Sequence, residues 1–303
     1  MEIIDSVRIN FSPDQLFLLN ICLAFLMFGI ALDIRLQDFR DIFRQPKAPF
    51  VGLFSQLILL PILTIFLIYL FAPPASIALG MILISVCPGG NVSNFMVHLA
   101  GANTALSVML TSIVTLGAVV VTPVSFSFWS DLIPGAAKLQ QSISVSPFDM
   151  IKTIVLLIFL PLVAGMSCNH YLPKLTAKVR RPIRILSIVI FMSFVIVAMY
   201  SNYDNIIKYV SLVFLIVLVH NTLGFLMGYG FARLNRLSKR DARAVSIETG
   251  IQNSGLALIL IFNFFNGIGG MAMIAAWWGI WHLISGFGLA SWWASRSKKT
   301  PSS

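Results

Sequence analysis

Charge is what this sequence lacks. Asp, Glu, Lys and Arg make up 11% of its 303 residues, against about 25% in an ordinary soluble domain. None of the four occurs from Ala48 to Ser130, and Glu248 stands alone from Ala244 to Ser295. No polar stretch is long enough to fold by itself, which excludes a separate water-soluble domain. Cysteine is scarce too. Cys22, Cys87 and Cys168 are an odd set in or near apolar runs, so they read as reduced small hydrophobes and not as a disulfide framework. Residues Met1 to Gln15 lack the basic start of a signal peptide. There is no phosphate-binding loop, no Ser-His-Asp order, no zinc spacing such as His-Glu-x-x-His and no pair of catalytic acids, so no enzyme is expected.

What is present is apolar chain: 58% hydrophobic residues and a mean hydropathy of +0.90. This composition predicts an all-α integral membrane protein, with the lipid bilayer as its surroundings. A spanning helix needs about 20 apolar residues. The runs predict nine spans, near 16–32, 48–71, 77–100, 105–128, 149–168, 185–201, 210–231 and two more between 244 and 295. The net charge of +10 lies in short loops between them, which argues for orientation and against nucleic-acid binding. With the N-terminus outside, inside segments hold 17 of the 21 Lys and Arg, and outside segments hold 4. By the positive-inside rule this predicts a multi-pass protein of the cell inner (plasma) membrane, N-terminus outside and C-terminus cytoplasmic. Tryptophans near the span ends fit interfacial belts.

Two stretches break the apolar runs: Cys87-Pro88-Gly89-Gly90-Asn91-Val92-Ser93-Asn94 and Glu248-Thr249-Gly250-Ile251-Gln252-Asn253-Ser254-Gly255. Backbone freed from a helix inside a bilayer is tolerated only where it faces protein or a wet cavity. Corresponding breaks in two halves of a membrane protein point to a transport site. The order span, span, broken span, span occurs at 16–128 and again at 185–294, and aligning Gly90 with Gly250 offsets the breaks by 160 residues. The charge-derived topology runs the two broken spans in opposite directions. The chain, 1–303, therefore reads as one transmembrane transporter domain of inverted repeats that lacks a first helix, with span 149–168 completing the first half.

Glu248 carries the strongest chemical signal. A carboxylate at membrane depth has a cation, a proton or a partner side chain, and no Lys or Arg lies in the apolar runs. It is therefore protonated or binds a metal ion. Thr249, Gln252, Asn253 and unwound carbonyls favour the ion, since hard cations take oxygen ligands. Asn91, Ser93 and Asn94 form a second oxygen cluster. Ser107, Thr111 and Thr115, four apart, share one helix face, and Gln56 is a buried amide ahead of Pro61. The second half of each broken helix begins near Asn91 and near Gln252. Its free N–H groups and positive dipole end attract an anion.

These motifs resemble those of the bile acid:sodium symporter family: Pro88 to Asn94, Ala105-Leu106-Ser107-Val108 with Thr111, Glu248 to Gly255, Val219-His220-Asn221, and Trp281-His282 with Ser285-Gly286. The likeness covers nearly the whole chain. It implies panel and core domains with two crossing discontinuous helices, and the nine-span form of the liver carrier over the ten-span form of many bacterial members. It implies a monomer with no cofactor beyond two coupling Na+ ions. One sodium site maps onto Ser93, Asn94, Ser107, Thr111 and Glu248. The other maps onto Gln56, Glu248, Gln252 and the carbonyls of Thr249 and Ile251. Asn91, Asn253 and His282 fall where the family binds substrate. Leu283 departs from the Asn that bacterial relatives often carry after the His. The implied function is sodium-coupled import of an organic anion, such as a bile acid or a small carboxylate, by alternating access. A related fold serves arsenite efflux, for which Cys87 beside the first break is the relevant residue. A non-transporting sensor or channel is the third class.

Overall fold

The computed structural model describes residues 5, 13–32, 46–90, 92–133, 147–180, 182–183, 185–186, 189, 193 and 203–297. Asn91, the Pro134-Gly135 turn and most of the expected sixth span lie outside the described residues. Among those described, every named element is helical, and Gly89 and Gln252 form an isolated β-bridge. In chain order the helices are α1 (Pro13–Ala31), α2 (Lys47–Phe71), α3 (Ala75–Val86), α4 (Val92–Leu99) and α5 (Thr104–Ser130). Then come α6 (147–171), α7 (Tyr203–Leu234), α8 (Lys239–Gly250), α9 (Ser254–Phe264) and α10 (Gly269–Ser297).

Five segments among the described residues are long and apolar enough to cross a membrane: Lys47–Phe71, Thr104–Ser130, Ile151–Tyr171, Val213–Leu234 and Gly269–Arg296. The helix pairs α3/α4 and α8/α9 are the two broken spans. At 1.5 Å per residue, α3 and α9 are each roughly 17 Å long, about half of a hydrocarbon core.

Local chemistry sets the ends. α2 stops where Ala72 turns left-handed at φ 42°, ahead of Pro73 and Pro74, which cannot continue a helix. Gly101, at φ 61°, reverses the chain after α4. The Asn103 side chain then caps α5 by accepting from the Leu106 N–H at 3.2 Å. Ser238 caps α8 by accepting from the Asp241 N–H at 3.1 Å. Two helices carry a wide π turn, at Ser55–Leu59 and Val155–Phe159. Each lies just before a Leu-Pro pair, Leu60-Pro61 or Leu160-Pro161. Proline has no N–H to give to the carbonyl four residues back, so the helix widens there, as π turns at functional sites do. The first of them carries Gln56.

The apolar interior falls into two clusters. One is built on α3, α9 and the first half of α10, with residues from α1, α6 and α7. The other gathers α4, α8, the first turns of α2 and α5, and the end of α10. The two broken helices each contribute one half to each cluster, so the breaks lie at the seam. α1 packs on α6, where a Cβ on Gly165 would come within 2.6 Å of Ala31 and of the Phe28 carbonyl. α1 also reaches α9 through a reciprocal amide pair, with Asn20 Nδ2 donating to Asn263 Oδ1 and Asn263 Nδ2 donating to Asn20 Oδ1 at 3.1 and 2.9 Å.

The two breaks cross. Gly89 and Gln252 form an antiparallel bridge, and the Asn253 N–H donates to the Pro88 carbonyl at 2.8 Å. The pairing is antiparallel, residue 89 with 252 and 88 with 253, so it shows that the breaks meet and carries no offset between repeats.

Candidate functional site: an oxygen cage at the crossing

Glu248 ends α8 at the crossing and is fully buried. Three helices deliver hydroxyls or an amide to its carboxylate. Ser93 at the start of α4 and Ser107 on α5 donate to Oε1. Thr111, one turn along α5, donates to Oε2 at 2.9 Å. Gln56 Nε2, from the π turn of α2, donates to Oε2 at 3.4 Å. Asn94 joins them, its Oδ1 facing Ser107 Oγ at 2.7 Å and Thr111 Oγ1 at 3.3 Å. Ser93 Oγ also lies 2.7 Å from the Gly90 carbonyl. The four-residue spacing of Ser107 and Thr111 puts them on one face, and that face is aimed at Glu248.

Hydroxyl protons alone do not suffice for these contacts. Three hydroxyls, on Ser93, Ser107 and Thr111, make six close oxygen–oxygen contacts with Glu248, Asn94 and Gly90. Each hydroxyl has one proton to donate, so three contacts have none. Protonating Glu248 would supply one more, and an Asn94 amide turned to present Nδ2 to Ser107 and Thr111 would supply the other two. Oxygens gathered around one carboxylate, with no basic side chain among the contacts, are the donor set that a hard cation takes.

A second set of oxygens lies beside it. Gln56 Oε1 and Gln252 Oε1 are buried acceptors with no donor among the described residues. A Cβ on Gly89 would lie 3.1 Å from Glu248 Oε2, 3.6 Å from the Ile251 carbonyl and 3.8 Å from Gln56 Nε2. Those three groups therefore converge on the bare glycine. Thr249 sits with them, but its carbonyl already accepts from Gln252 Nε2 at 2.9 Å. Its hydroxyl is 2.8 Å from Ser55 Oγ and donates to the Val245 carbonyl at 2.8 Å. The described residues hold no group of three or more His, Cys, Asp or Glu suited to a metal such as zinc. The donor set is one carboxylate among neutral oxygens, which suits a monovalent hard cation.

Of the three residues expected at a substrate, Asn91 is outside the described residues. Asn253 is half-buried and caps α9, its Oδ1 accepting from the Leu256 N–H at 3.0 Å. Its oxygen is thus committed to the helix, and its Nδ2 is the group left for a ligand. His282 on α10 is buried, with Nδ1 unpartnered among the described residues. It shares a helix row with Gly279 and Gly286. A Cβ on Gly279 would come 2.6 Å from Ser254 Oγ, and one on Gly286 would come 2.9 Å from Ile251 Cδ1. That row lies against the second break. Cys87 is packed into the apolar core at the end of α3.

Supporting residues hold the breaks in place, Asn221 and Ser285 from the quoted motifs and Thr122, which no motif singles out. Asn221 on α7 donates to the Gly250 carbonyl at 2.7 Å and accepts from Ser285 on α10. Thr122, ahead of Pro123 in α5, donates to the Val86 carbonyl at 3.0 Å where α3 stops. Both satisfy carbonyls that an unwound helix leaves free. A buried Asn, or a Thr opposite a helix end, is the signal, but nothing local says which carbonyl it serves.

Comparison with known proteins gives the family. The model of the "Sodium Bile acid symporter family" matches residues 20–209. An "uncharacterized sodium-dependent transporter", YocS of Bacillus subtilis, is 32% identical, covering 93% of this chain and 84% of its own. The "probable sodium/metabolite cotransporter BASS1, chloroplastic" of Arabidopsis thaliana is 31% identical over 91% of this chain and 67% of its own. A rice homologue, BASS2, is 28% identical over 82% and 57%. These relatives are transporters and not enzymes, and the apolar helices make this chain a multi-pass membrane protein. It belongs to the sodium bile acid symporter family.

Proposed function

We propose that the protein is a symporter that uses the inward sodium gradient to import an organic anion by alternating access. The observation that carries this reading is the oxygen cage around the buried Glu248, assembled from α2, α4, α5 and α8 with no basic side chain among its contacts. Two Na+ ions are assigned. The first takes Ser93, Asn94, Ser107, Thr111 and Glu248. The second takes Gln56, Glu248, Gln252 and the carbonyls of Thr249 and Ile251. The orphan oxygens of Gln56 and Gln252 support the second site, since burial without a donor is costly unless a cation completes it.

The cargo's carboxylate docks at the crossing, near Asn91 and Asn253, where the N-termini of α4 and α9 present N–H groups and positive dipole ends. His282 lines the way toward the gap between domains. The antiparallel crossing of the breaks supports inverted repeats. In this arrangement α1 and α6, with the sixth span, form a panel against a core of α2 to α5 and α7 to α10. The chain works as a monomer of nine spans in the cell inner membrane, N-terminus outside and C-terminus cytoplasmic.

Two sodium ions with one monovalent anion carry one net positive charge inward. Flux into liposomes at set potassium-diffusion potentials tests this, using matched carboxylic acids and their neutral amides. The acids should enter in a sodium-dependent manner, faster at negative internal potential, and the amides should not. Equal entry of acid and amide would refute the anion reading.

A further inference from the structure

One polar pair interrupts an apolar face of α1. Leu16, Asn20, Leu23 and Met27 follow one another at helical spacing and share that face. Its three hydrophobes pack into the first apolar cluster, whereas Phe17, Leu18 and Ile21 beside them are exposed. Asn20 therefore looks into the protein, where its amide meets Asn263 of α9 in the reciprocal pair. α9 starts at the crossing, and Asn263 lies nine residues beyond Ser254, roughly 14 Å outward. That is close to half of a hydrocarbon core, so the pair sits near the outer edge of the membrane.

The same end of the chain makes a second tie. Asp5 Oδ1 accepts from the Ser76 N–H at 2.9 Å, one of the donors that the first turn of α3 leaves free. α3 and α9 are the outer halves of the two broken helices, and each runs from its tie to the crossing. The apolar packing is equally one-sided. α1 and α6 contribute residues to the first cluster, on the outer side, and none to the second, on the cytoplasmic side. Among the described residues, the seam between this helix pair and the rest of the molecule is packed shut at its outer end.

We propose that Asn20 and Asn263, with Asp5, form a clasp that holds the outer gate of the transporter shut and that must part to admit sodium and cargo. This rests on the alternating-access reading above. The rest of the α1 face is apolar, and lipid tails are as apolar as Leu, so burial alone gives little preference for the closed register. A polar pair supplies that preference, as a buried Asn fixes the register of a coiled coil. The pair is also built to part. Asn263 Nδ2 donates to the Ile259 carbonyl of its own helix at 2.9 Å as well, so release leaves it a partner, and water at the membrane edge hydrates the freed amides. Two membrane hydrogen bonds shift a two-state equilibrium about sevenfold, enough to bias the gate and too little to seal it.

The test uses purified protein in detergent with Cys22, Cys87 and Cys168 replaced by Ala, so that one introduced thiol is read at a time. Leu23→Cys places a thiol one turn inside the clasp, where the side chain is buried. A charged methanethiosulfonate reagent reaches it only when the gate opens. Adding Asn20→Leu with Asn263→Leu should speed its modification about sevenfold, and Asp5→Ala should speed it further. Ile82→Cys, fully buried within α3, should react at the same slow rate with and without the two Leu substitutions, which separates gate opening from loosening of the whole fold. In a second measurement, Asn20→Cys and Asn263→Cys are joined by a short bis-methanethiosulfonate in protein reconstituted into liposomes. Sodium-driven uptake should stop, and it should return when dithiothreitol removes the bridge. An unchanged Leu23→Cys rate, an equal acceleration at Ile82→Cys, or uptake that continues through the bridge would overturn the proposal. The thiol rates need no cargo. They therefore decide the clasp even where no acid accumulates, a result that would sink the anion reading alone.

Discussion

Consider Glu248→Gln. The substitution keeps the volume and one carbonyl oxygen, so Ser93 and Ser107 retain an acceptor at the Oε1 position. The other oxygen becomes an NH2 group. It can donate to Thr111 Oγ1, but it also faces Gln56 Nε2, another donor. That clash costs sodium-free stability about 1–2 kcal/mol, a few degrees in melting temperature. The effect on the ion is larger. A unit charge about 4 Å from a cation contributes roughly 4 kcal/mol at an effective dielectric of 20, or about three decades of affinity. Because both proposed sites share Glu248, both should weaken. The assay is a thermal-shift titration of detergent-purified protein with NaCl replacing KCl at constant ionic strength. At a hundred times its Kd, a ligand adds about 2.7 kcal/mol of stability, so the wild type should rise clearly with sodium. Glu248→Gln should stay flat across the same range. A folded Glu248→Gln protein that keeps the wild-type sodium shift would refute the cage as a cation site.

Three further outcomes are expected. Gly89→Ala should destabilise by about 1–3 kcal/mol through overpacking and weaken sodium binding, since its Cβ would sit 3.1 Å from Glu248 Oε2; a normal melting curve with a normal sodium shift would count against the convergence described at Gly89. Asn253→Asp should keep the α9 cap, because Asp caps as well as Asn, and keep the sodium shift. Its added charge should nevertheless suppress anion uptake, and unchanged uptake would remove the carboxylate from that position. A single cysteine placed near Arg180 should be labelled only from the cytoplasm and one near Gln140 only from outside, and labelling of both from one side would sink the nine-span topology.

Much of this site is legible in the chain. The absence of charge from Ala48 to Ser130 predicts the spans, and the observed helices α2 and α5 begin and end within two residues of the expected 48–71 and 105–128. The helices run longer than the apolar runs at α6 and α7, because a helix does not stop where the hydrocarbon does. The breaks also stand out: second halves expected near Asn91 and Gln252 start at Val92 and Ser254. Ser93, Asn94, Ser107, Thr111, Gln56 and Glu248 do meet. What could not be read is the long-range pairing. Nothing near Gly89 names Gln252 as its partner. Nor does the sequence reveal that Asn253 spends its oxygen on its own helix, or that the indoles of Trp277, Trp278 and Trp281 have no acceptor among the described residues. Those facts depend on neighbours brought together only by the fold.

Glu248 is also the last of its partners to be made. Its contacts with Gln56, Ser93, Ser107 and Thr111 span 192, 155, 141 and 137 residues. At 5–20 residues per second, about 7–27 seconds separate the synthesis of Thr111 from that of Glu248. Through that interval the first half of the chain is in or entering the bilayer with its hydroxyls clustered around an acceptor that does not yet exist. Its broken helix is exposed as well, because the Pro88 carbonyl waits for the Asn253 N–H. The nascent half must hold these groups with lipid headgroups, trapped water or the insertion machinery until the second break arrives. Closing the crossing is therefore a late step of biogenesis, and a chain truncated before Glu248 should be handled by the cell as an unfinished membrane protein and not as a stable half.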